Sequence, residues 1–223
     1  SRGLGSSASA IVAGVTLARS LIGDADVLGR QEILEIGSHM EGHPDNVAPA
    51  VFGGATVSWM NEETSEVGSV RLTPPEGINP VAFIPDFELR TAAARAALPA
   101  TVPHGDASFN VARGALLAAI LSGGAQASGG VNLHALLMEA TRDRLHQEQR
   151  RAAMEPSLAL VDWLRGAGFA AVVSGAGPTV LSLEKVGADI RRDAAGAGWR
   201  VVPLAVAASG VQITRGSLAK VEF

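Results

Sequence analysis

The 223 residues suffice for one large domain or two small ones, and 47% apolar residues provide for a sizeable core. A net charge of −4 excludes a general nucleic-acid binder, which needs a basic face to neutralise phosphates, but allows a small anion held by a few local donors. The lack of cysteine excludes a disulfide framework, a thiolate metal site and a thiol nucleophile; with no signal-peptide pattern and no apolar run of about 18 residues, a cytoplasmic protein that avoids membranes is expected.

The chain opens on Gly3-Leu4-Gly5-Ser6-Ser7-Ala8. Helical spacing of Ala8, Ile11, Val12, Val15 and Ala18 then predicts a helix over Ser6–Ile22, stopped by Gly23-Asp24. A second helix is predicted from Gly29 to Met40, with Ile33, Leu34 and Ile36 as its apolar side, broken by Gly42-His43-Pro44. Asp45 or Asn46 can cap a short third helix through Phe52, closed by Gly53-Gly54. Strands are expected at Ala55–Met60 and Val70–Leu72, and the Pro74-Pro75-Glu76-Gly77 break marks a domain boundary. Beyond it the pattern gives a strand at Val81–Ile84, helices at Arg90–Leu98 and Ala107–Leu121, and an amphipathic helix at Leu133–Gln149. A helix at Leu158–Gly166 precedes strands at Phe169–Val173 and Thr179–Leu183 around a glycine turn. A helix at Asp189–Ala197 and strands at Val201–Val206 and Gly210–Ile213 end the chain. Mixed helices and strands without strict alternation indicate an α+β fold.

Five segments carry candidate chemistry. Gly3–Ala8 combines two glycines, which let the backbone come close to a ligand, with two serines opening a helix whose first N–H groups are unpaired. That is a phosphate-accepting arrangement, although an ordinary helix cap has the same composition. No lysine follows, so it is not a Walker loop; all basic residues except Lys185 and Lys220 are arginines. Glu35 offers a carboxylate for Mg²⁺, or is simply a solvated helix residue. His43-Pro44-Asp45-Asn46 presents polar side chains to a ligand, or only forms a turn. Ser174-Gly175-Ala176-Gly177-Pro178-Thr179 is a second small-residue bend, either an anion cradle or a plain hairpin turn. Arg95 and Arg150 are each able to clamp a carboxylate, or to lie idle on the surface.

Together these segments resemble the GHMP small-molecule kinases. Gly3–Ala8 looks like that family's phosphate loop and Ser174–Thr179 like its C-terminal glycine motif. The run Glu41-Gly42-His43-Pro44-Asp45-Asn46-Val47-Ala48-Pro49, with the segments around Arg95 and Arg150, is similar to the branch that acts on L-homoserine. The resemblance implies the family's two-domain α+β fold, with residues 1–77 as an ATP-binding domain and residues 78–223 as a ferredoxin-like domain. The active site is expected between them. The family opens with a strand-rich segment that nothing here matches, so the first domain is expected to be incomplete and the natural protein to begin before Ser1.

Carried over residue by residue, the resemblance implies that Gly3, Leu4, Gly5, Ser6, Ser7 and Ala8 hold the ATP phosphates, and that Ser7 and Glu35 bind Mg²⁺. His43, Asn46, Arg95, Arg150, Ser174, Gly175 and Gly177 would contact the substrate, with Ser7, Glu35 and Arg150 catalytic. The implied reaction is ATP-dependent phosphorylation of the homoserine hydroxyl, a step toward threonine; a homodimer is allowed. A GHMP kinase for another small alcohol, or a nucleotide-binding domain without turnover, stays open beside it.

Overall fold

The computed structural model describes residues 2–22, 29–125 and 128–214. The expected stop at Gly23-Asp24 lies outside the described residues. Contacts divide the chain into two compact units. Among the described residues, the larger holds residues 2–6 with Leu72–Val206; the smaller holds Ser7–Arg71 and residues 207–214. Sequence placed a single boundary between residues 77 and 78. The structure instead crosses between units at three points, because residues 2–3 and 207–211 pack against segments far from them in sequence.

The smaller unit is built on helices α1 (Ser6–Ile22), α2 (Arg30–Glu41) and α3 (Val47–Phe52), with a two-stranded ribbon of β1 (Ala55–Met60) and β2 (Val67–Leu72). Ala8, Val12 and Thr16 recur every four residues and bury one stripe of α1. Ile33, Leu34, Gly37 and Ser38 form the buried stripe of α2. Ile36, expected on that apolar side, is exposed, since it falls between the two buried pairs. Gly37 lets the helices close: a Cβ there would meet Val47 Cγ1 at 2.8 Å and lie near Ile11 and Val12. Gly42 ends α2 at φ +86°, its N–H donating to Ser38 O. α3 starts at Asn46 without a side-chain cap; its first turn closes through Ala48 N–H on Pro44 O at 2.8 Å.

The larger unit contains β3 (Val81–Ile84), α4 (Thr91–Ala96), α5 (His104–Leu121), α6 (Leu133–Ala140), α7 (Glu155–Gly166), β4 (Ala171–Val173), β5 (Val180–Ser182), α8 (Ala188–Gly196) and β6 (Arg200–Pro203). Its sheet has the order β4-β5-β3-β6. Every pairing is antiparallel, with Phe83 opposite Val180 on one side and Val201 on the other. Helices connect β3 to β4 and β5 to β6, while β4 and β5 form a hairpin. This is the split βαβ order of a ferredoxin-like sandwich, as expected. Phe83, fully buried, packs with Leu160, Val161 and Leu164 of α7 and Ala194 of α8. Burying a side chain of that size contributes about 2–3 kcal/mol.

Two expected elements differ. The amphipathic pattern over Leu133–Gln149 gives a helix only to Ala140. Asp143 then accepts the backbone N–H groups of Leu145, His146 and Gln147, which offers the chain a better set of bonds than another helical turn. The chain continues as a 3-10 helix over Glu148–Ala153. Gly210–Ile213 is not a strand: Val211 N–H donates to Ala50 O, so this segment covers the end of α3 and finds no ladder.

Candidate functional site

Both glycine bends lie against each other in the larger unit. Gly3 and Gly5 adopt φ of +72° and +67°, the left-handed region that glycine tolerates. A Cβ on Gly3 would overlap the carbonyl oxygens of Ser174 and Gly177. Ser174 Oγ donates to Gly3 O at 2.7 Å, and Thr179 N–H donates to Arg2 O at 3.3 Å. The second bend is closed on itself by Ser174 N–H on Thr179 O and Gly177 N–H on Ser174 O. From beneath, buried Ser157 Oγ donates to Pro178 O at 2.6 Å. Segments at opposite ends of the sequence thus form one small-residue cradle, and α1 begins directly after it.

Arg150 reaches the same cradle. It is 8% exposed. Its Nε donates to Ala94 O at 3.1 Å and its Nη1 to Gly175 O at 3.3 Å. Burial pushes its proton affinity down; the Asp143 charge opposes this, and the Arg95 charge adds to it. Arg150 remains a cation at any working pH. Arg95, on the adjoining α4, is exposed. A desolvated guanidinium with further positive charge nearby is of the kind that pairs with a carboxylate.

In the smaller unit Ser7 stands in the first turn of α1. Its Oγ donates to Glu41 Oε2 at 2.6 Å. Glu35 Oε1 accepts instead from Gln31 Nε2 at 2.9 Å on its own helix, and Gln31 also donates to Val67 O. The expected Ser7–Glu35 pair is therefore a Ser7–Glu41 pair in this structure. The reason is helix direction. Gly37 lies by Ile11 and Val12, and Glu41 by Ser7, so α1 and α2 run antiparallel and the end of α2 meets the start of α1. Six residues earlier, Glu35 sits about 9 Å back along α2. Sequence reasoning passed over Glu41, since only the helix pairing reveals it.

His43 and Asn46 converge on one carboxylate: His43 Nδ1 lies 2.6 Å from Asp45 Oδ1, and Asn46 Nδ2 donates to the same oxygen at 3.0 Å. Asp45, read from sequence as a helix cap, organises this pair instead. Among the described residues no group of three or more His, Asp or Glu side chains is placed to hold a metal. Nor is any described helix long and apolar enough to cross a membrane.

Comparison with known proteins is consistent with these features. Residues 1–54 match the GHMP kinases N terminal domain, and residues 117–195 match GHMP kinases C terminal. The homoserine kinase of Streptomyces avermitilis is 44% identical over 214 residues, covering 95% of this chain and 67% of that protein.

The chain belongs to the GHMP kinase family.

The homoserine kinase of Corynebacterium efficiens is 45% identical, covering 93% of this chain and 66% of its own. The chain spans about two thirds of the length of the curated relatives it matches. Among solved structures, a homoserine kinase from Cytophaga hutchinsonii superposes with a TM-score of 0.78 at 23% identity. It covers 94% of this chain and 67% of its own, and shows the shared family fold. A second solved chain, from Listeria monocytogenes, has a TM-score of 0.68 at 30% identity, covering 97% of this chain and 70% of its own.

Proposed function

We propose that this protein transfers the γ-phosphoryl group of ATP to the side-chain hydroxyl of L-homoserine, giving O-phospho-L-homoserine, on the route to threonine. The observation that carries this reading is the union of the Gly3–Ser7 bend with the Ser174–Thr179 bend, with Arg150 donating to Gly175 O beside them. The first bend leads into the N-terminus of α1, whose unpaired N–H groups and dipole favour phosphate. Gly3, Leu4, Gly5, Ser6, Ser7 and Ala8 are assigned to the ATP phosphates. Arg95 and Arg150 are assigned to the carboxylate of the amino acid, and His43 and Asn46 to its remaining polar atoms, with Ser174, Gly175 and Gly177 at the junction of phosphate and substrate.

Magnesium fits the donors available. Ser7 Oγ and the α2 carboxylates of Glu35 and Glu41 are hard oxygen ligands, the kind Mg²⁺ prefers, and a carboxylate already lies within hydrogen-bond reach of the Ser7 hydroxyl. We assign the ion to Ser7 and an α2 carboxylate, Glu35 by the family resemblance or Glu41 by the contact seen here; bound there, it would neutralise charge on the phosphates. The chain's own residues then position the reactants. The substrate hydroxyl attacks the γ-phosphorus, the bond from that phosphorus to the bridging oxygen breaks, and ADP departs. Backbone donors at the start of α1 stabilise the charge that develops there. We assign the hydroxyl proton to a phosphate oxygen; the Asp45 carboxylate is engaged by His43 and Asn46.

The deciding experiment is a substrate panel with coupled ADP release on the protein as its gene encodes it. Homoserine is expected to be turned over in preference to mevalonate and other small alcohols. ATP binding without turnover of any panel member would reject the proposal and leave a nucleotide-binding domain. A localisation in the cytoplasm and a homodimer accompany this reading; fractionation and sedimentation test them.

A further inference from the structure

We propose that Asp143 is a positioning residue that sets the pose of Arg150 and of the glycine turn it touches, and so controls recognition of the substrate's carboxylate. The inference deepens the assignment of Arg150 given above and rests on it. Asp143 has a side chain only 12% exposed, yet it lies in the loop after α6. Its Oδ1 accepts from Asn110 Nδ2 at 2.6 Å and from Leu145 N–H at 3.2 Å, and faces His146 Nδ1 at 3.2 Å. Its Oδ2 accepts from His146 N–H at 2.9 Å and Gln147 N–H at 2.7 Å. A carboxylate with this many donors fixes the loop as a rigid body.

From that loop two connections run to the site. Gln147 Oε1 accepts the N–H of Val173 at 2.8 Å, the residue just before the Ser174 turn. Gln147 O accepts the N–H of Arg150 at 3.1 Å, and Arg150 in turn bonds Gly175 O. Asn110 anchors the far side of the chain of bonds on α5, and also accepts the N–H of Arg144 on its Oδ1. The ring of Phe109, one residue away on α5, carries the guanidiniums of Arg113 at 3.7 Å and Arg144 at 4.0 Å, which pins the same loop. The Asp143 charge is also the one that favours the Arg150 cation electrostatically, against burial and Arg95. Removing it therefore loosens the loop and takes away a charge that favours the Arg150 cation.

The test compares homoserine with 3-aminopropan-1-ol, which has the same amine and hydroxyl but no carboxylate. In the protein as its gene encodes it, Asp143→Ala is expected to lower the ratio of kcat/KM for the two alcohols about tenfold, the loss of one charge-assisted hydrogen bond. The change should arise in the homoserine KM, with the ATP KM and the rate on 3-aminopropan-1-ol within twofold of the parent. Asp143→Asn keeps the shape with one accepting oxygen and should fall between the two. Equal losses on both alcohols, or an unchanged ratio, would overturn the inference while leaving the proposed function standing. Unfolding of both variants, read from their melting curves, would assign Asp143 a purely structural role and overturn it as well. A parent protein that fails to phosphorylate homoserine removes the proposed function first, and this inference with it.

Discussion

Ser7 and the carboxylates of α2 show how a site is decided by single residues. Ser7 bonds Glu41, while Glu35, six positions before Glu41, bonds Gln31 on the same helix. Glu35→Gln is expected to reduce kcat about a hundredfold with the homoserine KM within threefold, as befits a group acting on transition-state charge. A kcat that survives Glu35→Gln but collapses in Glu41→Gln, with a raised magnesium requirement, would transfer the metal role to Glu41. Arg150 differs in kind, since its bonds go to backbone carbonyls and its charge is desolvated. Arg150→Ala should raise the homoserine KM roughly thirtyfold, the worth of about 2 kcal/mol for a hydrogen bond to a charged group. An unchanged KM would make Arg150 a brace for the Gly175 turn and nothing more.

At the scale of elements, the cradle depends on backbone that tolerates no side chain. Gly3 combines a positive φ with carbonyl oxygens at the place where a Cβ would stand. Gly3→Ala should therefore weaken ATP binding by tenfold or more, measured by titration calorimetry, with little change in the circular dichroism of the sheet. The Asp143 loop makes a pH prediction. Its many donors outweigh burial and lower that carboxyl from 3.8 to about 2. A carboxyl depressed in the folded state stabilises it above the unfolded pKa, and the contribution disappears as pH falls through the folded value. The difference in unfolding free energy between the parent and Asp143→Asn should thus be full near neutrality. It should shrink between about pH 4 and pH 2, by about 2 kcal/mol. Urea melts at pH 7 and pH 3 measure it; a difference independent of pH would show that the charge is not what matters.

For the whole molecule, residues 207–214 belong to the smaller unit. Gly54 N–H donates to Ala207 O at 2.7 Å, Val211 N–H to Ala50 O at 2.8 Å, and Arg71 Nη2 to Ala208 O at 2.6 Å. A Cβ on Gly210 would run into the backbone at Val51 and Phe52. Ending the chain after Val206 should accelerate amide exchange across α3 and β1 while leaving the sheet of the larger unit protected. Uniform loss of protection in both units would show instead that the two unfold as one.

The sequence alone carried the helix and strand order, because hydrophobic period and glycine or proline breaks are local properties. Ser6–Ile22, Ala55–Met60 and Val81–Ile84 are found where the pattern put them. The two glycine motifs were visible as bends, though each by itself also reads as a helix cap or a hairpin turn. The pattern misread Leu133–Gln149 and Gly210–Ile213, where a half-buried aspartate and a distant helix end captured backbone donors that periodicity had assigned to regular structure. Tertiary structure alone decided that Ser174 closes on Gly3, that Ser7 meets Glu41, and that Asp143 organises the loop bearing Arg150. The first two, and the Asn110 bond that anchors Asp143, join residues far apart in the chain, and such contacts depend on how helices and strands pack in space, which no local pattern of side chains records.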